Sequence, residues 1–358
     1  MGGAMMTPVG RLVLLRTTPK SELVGAMSVM TMPALLGPVI GPVVGGAIVT
    51  FADWRWIFFL NIPIAIVGVF LVARFVPNVK EQEVSPIDWI GIVLTGVGLA
   101  GLIFGFENLG RDTLPAGVVA ALFLGGATAL GIYWRHARGN PHAILDLTVF
   151  KIQTFTASVV GGSFMRIAMG ATPFMLAMLL QIGFGLSPFQ AGLMTFVSAA
   201  GALVMKTTAP PILRRYGFRT VLTVNAVIVG ISFMTYGLFQ PTTPHWVIMA
   251  ILAVGGFFRS LQFTSLNGMA YADIEQAQMS RASTTAAMMQ QLVQSIGIGI
   301  AAALMHFFML ARGDTHLSAG SIAPVFVVIG LITFLSLFFF VRLPKDAGDE
   351  MNGRKAIA

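Results

Sequence analysis

The chain alternates long apolar stretches with short polar turns from one end to the other. The stretches lie at 23–49, 56–76, 89–108, 116–134, 155–181, 188–210, 220–239, 246–271, 284–309 and 322–341. A bilayer core of about 30 Å takes about 20 residues of helix, and a backbone in lipid must satisfy its own hydrogen bonds. The pattern therefore predicts ten complete membrane-crossing helices and an all-α polytopic membrane protein. An eleventh stretch, Gly2–Leu15, is too short to cross and contains Pro8 and Arg11. It reads as the second half of a helix whose first half precedes Met1, and no signal-peptide pattern opens the chain.

Composition agrees, with 56% hydrophobic and only 10% charged residues. The absence of cysteine excludes disulfides and thiolate metal sites. A net charge of +8 raises the question of nucleic acid, but the placement of the charge points to a membrane. Basic residues fall in alternate loops. One side takes Arg16, Lys20, Arg74, Lys80, Arg135, Arg138, Lys151, Arg214, Arg215, Arg219, Arg281, Arg342, Lys345, Arg354 and Lys355, and the other takes Arg55, Arg111 and Arg312, a bias of 15 to 3. By the positive-inside rule the richer side, with the C-terminus, is cytoplasmic.

Span 23–49 contains Gly37-Pro38-Val39-Ile40-Gly41-Pro42-Val43-Val44-Gly45-Gly46, followed by the aromatic turn Asp53-Trp54-Arg55-Trp56. Glycines four apart open a flat face for close helix packing, and each proline removes a backbone donor. The string resembles the antiporter motif of the major facilitator superfamily, and the turn resembles its fourteen-helix drug:proton antiporter branch. The segment 180–193 is similar to one group of multidrug transporters within that branch. Arg214-Arg215-Tyr216-Gly217-Phe218-Arg219 resembles the family's cytoplasmic gate loop, with Arg214 where an acid is expected.

The resemblance implies a major facilitator fold in which the chain supplies helices 4 (in part) to 14 of fourteen. Residues 1–77 would end the N-terminal bundle, 78–135 would form the extra helix pair, and 136–154 a cytoplasmic connector. Residues 155–343 would be the C-terminal six-helix bundle, and 344–358 a cytoplasmic tail. It further implies proton-coupled efflux of small hydrophobic or amphipathic compounds by a monomer in a bacterial inner membrane. No cofactor, metal or nucleic acid enters, and the lipid bilayer and protons are the other partners. In the connector, Ile144, Leu145, Leu147, Val149 and Phe150 make an apolar face suited to the membrane interface.

Ionisable groups deep in a bilayer are costly and so are functional candidates. Arg166 and Arg259 fall near the middle of their spans, on the two helices that line the central cavity in this family, which makes them candidates for cavity or coupling roles. Gly162 and Gly170 share a face with Arg166, and Gln262 shares one with Arg259. Asn267, Gln290 and Gln294 are further polar candidates, with a bond between helices as the plainer reading. Lys206 sits nearer a helix end, where it can snorkel. None of the fourteen acidic residues falls at mid-membrane, so a proton-carrying acid is expected in the family's first helix. The five histidines are scattered and no acid pair marks a catalytic centre, which argues against a membrane enzyme. A non-transporting remnant of such an antiporter, and a major facilitator carrier for another small solute, are the other rivals. Gly41, Pro42 and Gly45 are expected where two backbones meet closely.

Overall fold

The computed structural model describes residues 43–76, 88–108, 114–140, 143–145, 147–275 and 278–348, together with Gly10, Val13, Leu14, Gly37, Ile40 and Gly41. The first predicted span is described mainly from residue 43 on, and Pro38 and Pro42 lie outside the described residues, as does the half-helix apart from Gly10, Val13 and Leu14. The described chain is helical throughout, without β-strand. In order it forms α1 (43–51), α2 (Trp56–Phe75), α3 (Trp89–Asn108), α4 (Ala116–Gly139), α5 (Gln153–Gly183), α6 (Pro188–Tyr236), α7 (His245–Ala270), α8 (Met279–Ala311) and α9 (Ala319–Phe340). Among the described residues, eight of these, α2 to α9, are long and apolar enough to cross a membrane. The molecule is an all-α polytopic membrane protein.

Two predicted spans became one element. The expected 188–210 and 220–239 are both contained in α6, which is 49 residues long. Pro210, Pro211 and the arginines after them suggest a loop, yet the helix continues through them and breaks only at Gly217, whose φ of 74° and ψ of 161° are non-helical. A side chain in that left-handed backbone region would be strained, and glycine is not. One residue thus does the work expected of a nine-residue turn, and the halves 188–216 and 218–236 both pack on α7.

Lipid gives helices no hydrophobic reason to associate, so close backbone approach and polar contacts must hold the bundle. In the α3–α4 hairpin, a methyl group added at Gly126 would lie 2.9 Å from the Gly98 carbonyl oxygen. Gly299 of α8 meets the Phe106 carbonyl in the same way and docks that hairpin on the bundle. Between α5 and α8 the pairs are Gly170 with Gln294 and Gly297 with Ile167. Between α6 and α7 they are Gly201 with Ala253 and Gly256 with Ser198.

The stretch after α4 differs from expectation. α4 runs on to Gly139, so His136 and Arg138 belong to a helix rather than to a loop. Leu147–Lys151 then forms a short 3-10 turn whose Val149 is fully buried with Phe155, Val159, Ile274 and Ala282. Val149 and Phe150 of the expected apolar face thus pack into the bundle end, while Ile144, Leu145 and Leu147 stay half-buried.

Candidate functional site

A cavity of about 790 Å³ lies between α1 and the bundle formed by α5 to α8. This side presents Gly37 and Gly41, which precede α1, and Gly45, Gly46 and Val49 of α1, and Ile57 of α2 adds to it. Spacing of four places the first three glycines on one helical face, and that face is the cavity wall. A methyl group added at Gly41 or Gly45 meets no described atom within 4 Å. The close approach expected there occurs instead at Gly46, where an added methyl would lie 2.7 Å from the Pro188 carbonyl oxygen and 3.1 Å from the Phe189 Cα. Packing and cavity lining call for the same small residues, so spacing alone could not separate them.

Opposite α1, α5 contributes Met169, Thr172, Pro173, Leu176 and Gln181. This helix is irregular: π turns occupy Ala157–Gly161 and Met178–Gly183, and Pro173 sits inside it. Such turns leave backbone groups off the regular ladder. The α6 wall carries Thr195, Ser198, Ala202 and Lys206, α7 carries Gly256, Arg259, Ser260 and Phe263, and α8 adds Gln294.

Both cations of this wall are held by neighbouring hydroxyls. Arg259 donates from Nη2 to Ser198 Oγ at 2.7 Å, and its buried Nη1 finds no partner among the described residues. Lys206 Nζ donates to Thr264 Oγ1 at 2.9 Å, with its ammonium 6.0 Å from the Phe263 ring centre. Among the described residues the lining contains no acidic side chain. Lys206, expected to snorkel, instead shares the cavity with Arg259. Its position eight residues after Ser198 on the same face was the available signal.

The remaining expected residues lie elsewhere. Arg166 is 3% exposed and is not on the cavity wall; its Nη1 donates to the Ser158 carbonyl at 2.7 Å. Gln262 is fully buried, accepts from Asn225 Nδ2 at 2.8 Å and donates to the Leu222 carbonyl at 3.3 Å, which ties α7 to the second half of α6. Asn267 and Gln290 are half-buried and are not part of the lining. At the α6 break, Arg214 and Arg215 are exposed, and Arg219 Nη2 donates to the Val341 carbonyl at 2.7 Å, across to the end of α9.

A polar pair not expected from the sequence lies at the start of α3. Asp88 is almost completely buried; its Oδ1 accepts from the Gly91 amide at 2.9 Å and lies 2.9 Å from His136 Nε2 of α4. Burial favours the neutral acid, but the Gly91 amide and the His136 ring outweigh it and hold the carboxyl below its ordinary range.

The family profile described as Major Facilitator Superfamily matches residues 1–298 and, in a second match, 158–356. The chain is 35% identical over 355 residues to the "Putative multidrug resistance protein MdtD" of Escherichia coli (strain K12), covering 97% of this chain and 74% of that protein. The same values hold for the proteins of that name from Escherichia coli (strain 55989 / EAEC) and Shigella boydii serotype 18. The chain belongs to the major facilitator superfamily. Its class is that of a membrane carrier for small molecules, and not that of an enzyme.

Proposed function

We propose that the protein is a secondary active carrier that exports small hydrophobic or amphipathic compounds in exchange for protons. The observation that carries this reading is the cavity between the glycine face of α1 and the α5–α8 bundle, which is sized for a drug-like solute and mostly apolar. The likeness to proteins named for multidrug resistance supports the substrate class. Arg259, Lys206 and Gln294 would contact the solute, while Arg166 and Gln262 would hold helices together. Positive charge biased 15 to 3 toward one set of loops supports a cytoplasmic C-terminus in a bacterial inner membrane.

The test is transport by the full chain in proteoliposomes, with fluorescent hydrophobic solutes carrying positive, negative or no charge. An imposed pH gradient should drive at least one of them uphill, and collapsing the gradient with nigericin should stop it. Flux equal to that of protein-free vesicles for every solute would overturn the reading.

A further inference from the structure

We propose that this cavity selects organic anions, an apolar body bearing one acidic group, and that Arg259 and Lys206 are two successive stations for that group. The inference deepens the transport reading and rests on it. Two cations face the cavity and no acid does, among the described residues, so neither has an ion-pair partner there. An uncompensated cation next to a mostly apolar wall is costly, and an anionic solute supplies what it lacks. Such a site would repel a lipophilic cation of equal size.

Arg259 is the stronger station. One Nη is anchored on Ser198, and Nη1 is buried without a partner among the described residues. A planar guanidinium with a free donor suits carboxylate or sulfonate. Lys206 is anchored separately on Thr264.

The two stations are too far apart for one small acid to touch both. The α6–α7 contacts Ser260 with Ala202 and Lys206 with Thr264 share a separation of 58 positions, which makes the two helices parallel and in register. Ser198 therefore lies level with Gly256, eight residues before Thr264, or about 12 Å along the axis. An acid group would occupy one station at a time, with its apolar body against Leu176, Ala199 and Phe263.

Equilibrium binding to the full chain in lipid nanodiscs tests this with two probes of matched size, 2-naphthalenesulfonate and 2-naphthyltrimethylammonium. The sulfonate should bind at least about tenfold more tightly, and Arg259→Gln should remove about tenfold of its affinity, the scale of a lost charged hydrogen bond. Lys206→Gln should weaken it to a smaller extent, Arg259→Lys should restore part of the loss, and the exposed Arg312→Gln should change nothing. Size-exclusion profiles identify any variant that fails to fold, and for such a variant the wild-type preference between the two probes decides alone. Equal or tighter binding of the ammonium, or unchanged sulfonate affinity in a folded Arg259→Gln, would overturn the proposal. Uphill transport of solutes with no anion preference would leave the carrier function standing and sink only the anion selection.

Discussion

Arg166 bonds the carbonyl of Ser158, eight residues earlier on its own helix, at 2.7 Å. Ser158 lies in the π turn Ala157–Gly161, and its hydroxyl donates in turn to the Leu266 carbonyl of α7 at 2.6 Å. The guanidinium thus satisfies a backbone group in the irregular turn and secures the α5–α7 contact. Arg166→Met should lower the thermal midpoint, at a cost of about 1–3 kcal/mol for the lost charged bond. Transport per folded molecule should be preserved, and Arg166→Lys should recover part of the stability. An unchanged midpoint with transport abolished would return Arg166 to the transport path.

Gly46 and Gly41 should separate packing from solute access. Gly46→Val pushes a side chain into the Pro188 backbone and should reduce the yield of monodisperse protein. Gly41→Leu points into the cavity, so it should fold normally and lose transport by filling space that a solute needs. Normal folding of both, with equal transport, contradicts the assignment of these two faces.

Gly256→Ala should open the seam between α6 and α7, because the new methyl overlaps the Ser198 carbonyl. Overpacking of this kind costs about 1–3 kcal/mol. The same shift moves Ser198 away from Arg259, so solute affinity should fall even in protein that survives purification. Stability and affinity that both match wild type would show that the seam has slack.

Asp88 makes stability depend on pH. Its carboxyl is held below the ordinary value of 3.8, so its contribution is fully present above that value and disappears as the pH falls through the lowered folded value. Asp88→Asn should therefore melt below wild type at pH 5 to 6, with the two converging in more acid solution. A difference that persists undiminished in acid would assign the effect to shape rather than charge. The readout is the thermal midpoint against pH.

Orientation can be read from a single introduced thiol, since the chain has no cysteine. Tyr216→Cys is the better probe at the α6 break, because Tyr216 is exposed whereas Gly217 is buried at positive φ. An impermeant maleimide should label it in inverted vesicles and not in intact cells. Labelling from outside would reverse the proposed orientation.

The helices were legible in the sequence because each crossing needs its own apolar stretch, and α3, α7 and α9 start and stop close to the expected residues. The α6 break was not, since Pro210, Pro211, Arg214 and Arg215 read as a turn and nothing local reveals that the helix tolerates them. Arg259 is legible from its depth together with its place on a helix that the family resemblance puts at the cavity. Lys206 reads from the sequence as a snorkelling lysine because a long flexible chain near a helix end reaches the interface as easily as a cavity, and only the neighbouring Thr264 decides between them. Arg166 shares the depth of Arg259 but turns to a carbonyl within a π turn, an irregularity with no sequence signature.

The shared separation of 58 positions along the α6–α7 seam has a consequence for movement. Ser260 holds the Ala202 carbonyl and Thr264 holds Lys206, one helical turn apart. Sliding α7 by part of a turn would break both bonds at once, whereas a full turn of about 5.4 Å brings Lys206 opposite Ser260, another hydroxyl. In that shifted register Ala202 would face Gly256, which has no hydroxyl, so only one of the two bonds re-forms and the observed register is the favoured one. The two bonds therefore couple the first half of α6 to α7 as one body, whereas the irregular backbone of the cavity wall, the π turns and Pro173, belongs to α5.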